Sequence, residues 1–151
     1  FEKGKYNEDE FWTYQAVERA EKIVQIEDVG YYYFFREDSI INETYNIRKL
    51  DALEARYQRM KYLEKYPEIY GVAKRQLVFN CMYHYQKGLR FLSGSDLKKL
   101  KSKVKAIYKD ISIDKNDIKE YTKKEKIWFS ISKISLDLVC RIRNKFGYGV
   151  E

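Results

Sequence analysis

The residues best suited to chemistry are Glu8-Asp9-Glu10, three consecutive carboxylates opening a stretch with helical patterning. Acidic side chains in a first turn complement the positive end of the helix dipole, worth ~0.3–1 kcal/mol each. Beyond that structural role, a carboxylate there can take a proton from a hydroxyl as its oxygen attacks an electrophile. Asp9 is therefore a candidate general base, with Glu8 beside it. Metal and disulfide chemistry have less to build on, because Cys81 and Cys140 are far apart and His84 is the only histidine. A zinc site needs four clustered ligands and a disulfide scaffold more cysteines, so these read as two reduced, buried thiols and a packed or surface histidine.

The elements that must position the triplet can be read from spacing. Asn7 followed three residues later by Glu10 predicts a capping box, and Trp12, Ala16, Ala20 and Ile23 continue at helical intervals. Lys22 to Ile26 is β-branched and Tyr31 to Phe35 aromatic, with Glu27, Asp28 and Gly30 in the connection, which predicts a small antiparallel hairpin. Such a hairpin is marginal alone and must pack on a helix or join a larger sheet. From Ile47 onward the pattern is helical. Ile47, Leu50, Leu53, Tyr57, Met60 and Leu63 step by three or four, and Pro67 suits the first turn of a second helix carrying Ile69, Ala73, Leu77, Cys81, Tyr85 and Leu89 on one face. Ser93-Gly94-Ser95 breaks that helix, and Ser95 is the expected cap of a third, with Leu97, Leu100, Val104, Ile107 and Ile111 on its inner face. A last helix is expected from beyond Asp117 to Phe146. The predicted fold class is mainly α with one small antiparallel β hairpin, divided into residues 1–46 and a helical region, 47–151.

The chain has 151 residues, 44% hydrophobic and 35% charged, which excludes a disordered or collagenous class and suits one ordinary domain. A membrane-spanning helix needs ~20 mostly apolar residues and none is present. No secretory leader opens the sequence, so a cytoplasmic location is expected. The formal charge of +7 is uneven: residues 1–97 carry 15 Lys/Arg against 16 Asp/Glu, and residues 98–151 carry 15 against 7. An anionic partner is therefore expected for the last third alone. There, Ile127, Ile131, Ile134, Leu138 and Ile142 form a stripe bordered by Lys124, Lys126, Lys133, Arg141, Arg143 and Lys145. A basic amphipathic helix of this kind either packs on its own domain or lies at the inner face of a membrane. Nucleic acid is a weaker expectation, as no RNP, zinc-finger or helix-turn-helix signature is present.

The run FEKGKYNEDEFWTYQ, then KIVQIEDVGYYYFFREDSI, resembles the distal half of bacterial family 2 glycosyltransferases that build capsular and other surface polysaccharides. The resemblance rests on Phe1, Gly4, Glu8, Asp9, Ile23, Ile26, Tyr31 to Tyr33, Arg36, Ser39 and Ile40, and covers about the first 65 residues. It implies a parent enzyme of the α/β GT-A fold that moves a sugar from a nucleotide-diphosphate donor to a saccharide or lipid-linked hydroxyl. Residues 1–46 would be the distal edge of its catalytic domain, and 47–151 a helical extension. Asp9 would be the catalytic base, Glu8 part of the acceptor site, and Arg36 and Ser39 part of a loop near the donor diphosphate. An Arg there can pair bidentately with phosphate oxygens. Family members use Mg²⁺ or Mn²⁺ held by a D-x-D motif; this sequence has no D-x-D, so the chain by itself is expected to bind no metal and be inactive. Lacking the remainder of its sheet, it is also expected to expose apolar surface and self-associate. The alternative is a small basic helical module that binds nucleic acid or another anionic surface.

Overall fold

A computed structural model describes residues 4–32, 34 and 43–149. Among them every regular element is helical. After a 3-10 turn, Glu8–Phe11, come α1 (Thr13–Arg19), α2 (Leu50–Tyr62), α3 (Pro67–Phe91), α4 (Gly94–Asp110), α5 (Lys115–Lys119), α6 (Lys123–Ile134) and α7 (Leu136–Lys145). Short 3-10 turns lead into α2 and out of it, at Ile47–Lys49 and Leu63–Lys65.

The axis of the fold is α3, on which α2, α4 and α7 pack. Pro67 occupies its first turn, where the missing N–H costs nothing. Of the apolar face marked by the spacing, Ala73, Leu77, Cys81 and Tyr85 are buried and Leu89 is partly buried, while Ile69, in the first turn, is exposed. Val78, Met82, His84, Gln86 and Gly88 are buried as well, since neighbouring helices approach from several sides. Against these lie Leu53 and Met60 from α2, Leu100 and Val104 from α4, and Val139 and Cys140 from α7. Both cysteines are free and buried, and burial pushes the Cys140 thiol up to about 12.

Several sequence expectations change. The predicted hairpin is not formed: Lys22–Ile26 and the described residues Tyr31, Tyr32 and Phe34 are in no strand, and Ile23, Val24, Tyr31 and Tyr32 are largely exposed. β-branched and aromatic composition favours the extended conformation, but a strand needs a ladder partner and a surface to pack on, and the described residues supply neither. Tyr33 and Phe35 lie outside the described residues.

The capping box at Asn7 is also absent. Asn7 adopts the left-handed conformation (φ 56°, ψ 47°), its side chain caps nothing, and the segment opens as a 3-10 turn that buries Phe11. As a result α1 buries none of its residues, and Trp12, Ala16 and Ala20 stay exposed. Finally, the single C-terminal helix is two, broken at Ser135, whose hydroxyl accepts from the Leu138 N–H at 3.1 Å. The inward side chains there are Phe129, Ser132, Leu136, Val139 and Cys140, leaving Ile127, Ile134 and Leu138 exposed. Capping elsewhere also departs in detail: α4 starts after Ser93 rather than Ser95, while reciprocal boxes Asp114/Asp117 and Thr122/Glu125 open α5 and α6.

Two consequences can be measured. A Cβ at Gly88 would sit 2.6 Å from two Leu100 carbons, so Gly88→Ala is expected to lose ~1–2 kcal/mol in urea unfolding, overpacking outweighing the gain in helix propensity. His84 is buried with its Nδ1 2.7 Å from the Tyr45 hydroxyl, and burial, with the Arg56 charge, lowers it to about 3. It is therefore neutral in the fold, while an unfolded imidazole protonates near 6.5. Stability should fall as pH drops below that value, by about 2–3 kcal/mol on reaching about pH 4.5. In His84→Gln most of this loss should disappear, leaving the smaller fall at about pH 4.5 that comes from carboxyls held below their ordinary range, such as Glu18 and Glu125.

Candidate functional site

The segment bearing the carboxylate triplet is held against α2 from both sides of the turn. The Tyr6 N–H donates to Asp51 Oδ2 at 3.1 Å, and Lys5 Nζ lies 3.3 Å from Asp51 Oδ1. Arg48 stacks 3.9 Å from the centre of the buried Tyr6 ring. On the other side, Glu10 meets two arginines of α2, Arg59 at 3.1 Å and Arg56 at 3.8 Å. Arg56 and Arg59 are three apart and so share a helix face. Phe11, buried between these polar tethers, anchors the turn.

This arrangement separates the roles of the three carboxylates. Glu10 is consumed by the arginines and positions the turn. Asp9 is exposed; its backbone carbonyl accepts from the Thr13 hydroxyl at 2.7 Å and the Trp12 N–H at 3.2 Å. Glu8 is exposed and does not line the cleft into which Asp9 and Glu10 face.

That cleft, about 680 Å³, lies between α1 and the α2–α3 junction, with Tyr14, Glu18, Arg59, Tyr62 and Tyr66 among its walls. Tyr14 and Tyr62 meet edge to face at 4.9 Å between ring centres. At its far end Glu18 accepts from the Tyr62 and Tyr66 hydroxyls and pairs with Lys65 at 2.6 Å. The Lys65 and Tyr66 hydrogen bonds hold the Glu18 carboxyl below its ordinary range, and in turn raise Tyr66. The walls thus combine aromatic faces with hydrogen-bonding groups, and an ionisable carboxylate stands at the rim. Aromatic side chains with a polar end suit ligands that are apolar on one side and hydroxylated on the other.

The structure brings Asp9 to the cleft and leaves Glu8 out of it. Arg36 and Ser39 lie outside the described residues. Sequence reasoning missed Glu18, Tyr62 and Tyr66. The four-residue spacing of the two tyrosines was a usable signal, whereas Glu18 gains its role only by meeting them across the fold. A divalent cation does not fit here: among the described residues no group of three His, Cys, Asp or Glu side chains stands together, and Glu10, the neighbour of Asp9, is bound to guanidinium groups.

Compared with known protein families, with characterised proteins and with solved structures, the chain matches none.

The tethers predict a separation between local and global stability. Arg59→Ala removes a half-buried ion pair and should cost only ~1 kcal/mol globally. Amide exchange at residues 8–12 should nevertheless accelerate several-fold in that variant. Equal exchange rates in the two proteins would show that the Arg59–Glu10 pair does not hold the turn.

Proposed function

We propose that this chain is the C-terminal part of a family 2 glycosyltransferase, with Asp9 as the base that deprotonates an acceptor hydroxyl and the tyrosine-walled cleft as part of the acceptor site. The observation that carries this reading is the position of Asp9, exposed at the rim of a cleft walled by Tyr14, Tyr62 and Tyr66. The sequence motif supports it from a separate direction, since Asp9 is the residue that the resemblance to these enzymes also selects. A sugar hydroxyl seated on the aromatic walls would approach the carboxylate, which accepts its proton as the oxygen attacks the anomeric carbon of the donor. Fixing the acceptor in this way lowers the barrier chiefly by orientation. Glu10, bound to Arg56 and Arg59, holds the turn and so aims Asp9. Glu8 has no part in this arrangement beyond the charge it contributes nearby.

The donor nucleotide and any divalent ion would be bound by the preceding part of the parent enzyme, together with the segment that contains Arg36 and Ser39. The chain by itself is accordingly proposed to be inactive.

In the parent enzyme Asp9→Asn should lower kcat by roughly 10²–10⁴ with little change in donor KM, as expected for loss of a general base. Tyr62→Ala should act mainly on the acceptor KM. Full activity in Asp9→Asn would remove Asp9 from the mechanism, and sugar transfer by the isolated chain would overturn its proposed status as a partial enzyme.

A further inference from the structure

We propose that the groove between the C-terminal half of α4 and the α6–α7 junction docks anionic phospholipid headgroups at a bilayer surface. The groove has a volume of about 650 Å³. Lys105 and Lys109, one helical turn apart, stand on its α4 side, and Lys133 of α6 on the other. All three are exposed, and none forms an ion pair with a carboxylate among the described residues. Lys133 does lie 5.0 Å from the centre of the Phe129 ring.

The nearby acids are already engaged. Asp137, the one carboxylate lining the groove, accepts from Arg141, from Lys101 at 3.0 Å and from Tyr85 at 3.1 Å, and these contacts, Arg141 foremost, hold it at about 2. Asp110, adjacent to Lys109, pairs with Lys61 at 2.6 Å. The groove therefore presents three uncompensated positive charges.

Its lining makes it more than a charged patch. Phe129, Ile111 and Leu136 are buried and form an apolar floor. The Tyr108 hydroxyl donates to Ser132 Oγ at 2.6 Å, and Ser132 donates onward to the Phe129 carbonyl at 2.6 Å, so α4 and α6 are joined across the floor. At the rim Ile134 is 82% exposed, beside Lys133. Cations around an apolar floor with a protruding aliphatic side chain match the boundary between phosphate headgroups and acyl chains. Nucleic acid fits less well, because the one tyrosine lining the groove is partly buried and hydrogen-bonded rather than offered for base stacking. No described helix is long and apolar enough to cross a membrane, so the attachment would be to the surface.

The inference does not depend on Asp9, and its test needs no sugar transfer. The whole chain is sedimented with phosphatidylcholine vesicles, with and without phosphatidylglycerol. Binding is expected only where phosphatidylglycerol is present. Each lysine near an anionic surface contributes about fivefold, so Lys105→Gln/Lys109→Gln/Lys133→Gln should lower partitioning on the order of a hundredfold. Ile134→Ser should weaken binding with no change of charge. Lys22→Gln/Lys98→Gln/Lys99→Gln removes the same charge elsewhere and should retain most of it. Circular dichroism checks that each variant keeps its helices, which is expected since every altered side chain is exposed. The proposal is overturned by equal binding to both vesicle types, by equal losses in the two triple variants, or by no effect of Ile134→Ser. Displacement by inorganic phosphate at matched ionic strength would also overturn it, as would tighter binding of a labelled oligonucleotide through the same lysines.

Discussion

The perimeter of α3 is the constraint from which the rest of this structure follows. A 25-residue helix that is apolar or neutral around most of its middle cannot face water there, so other helices must cover it. Helices α2, α4 and α7 do so, and Gly88 lets α4 approach closely enough for Leu100 to sit against the α3 backbone. Most polar groups admitted to this interior are paired, His84 with Tyr45 and Gln86 with Arg143, Asn144 and the Tyr148 carbonyl, while the buried Tyr121 hydroxyl and Arg56 Nε have no hydrogen-bond partner among the described residues. Leaving such groups without partners would forfeit ~1–3 kcal/mol apiece. The helical core is thus a platform whose surfaces are fixed before any ligand is considered.

The candidate site is attached to that platform by apolar burial and by charge together. The turn bearing Asp9 contributes Tyr6 and Phe11 to the buried set, but its polar contacts run to α2 through Asp51, Arg56 and Arg59. A turn held by two buried rings and a few half-buried ion pairs opens at lower free energy than the core beneath it. Local adjustment around an entering ligand is therefore open to it at small cost.

Electrostatics divides the molecule in a similar way. Several acids of the helical region sit opposite basic residues, as in Glu125 with Arg75, Glu54 with Lys103 and Asp117 with Lys74. What remains after such pairing is a set of lysines rather than a uniform positive coat. Overall composition registers the excess, and pairing determines where it is felt.

Helical periodicity, Pro67 at the head of α3 and the break near Gly94 were legible in the sequence because each depends on residues within a turn or two. The same holds for most of the inner faces of α2, α3 and α4. The hairpin failed because strand composition from Lys22 to Phe34 expresses only a local preference, and a ladder requires a partner from elsewhere in the chain. Asn7 failed as a cap for a related reason: Arg56 and Arg59, more than forty residues away, hold Glu10, the side chain expected to complete the box. Which carboxylate faces the cleft, which tyrosines wall it and which lysines stay unpaired were decided by tertiary structure alone. Those properties belong to contacts between distant residues, and local spacing carries no record of them.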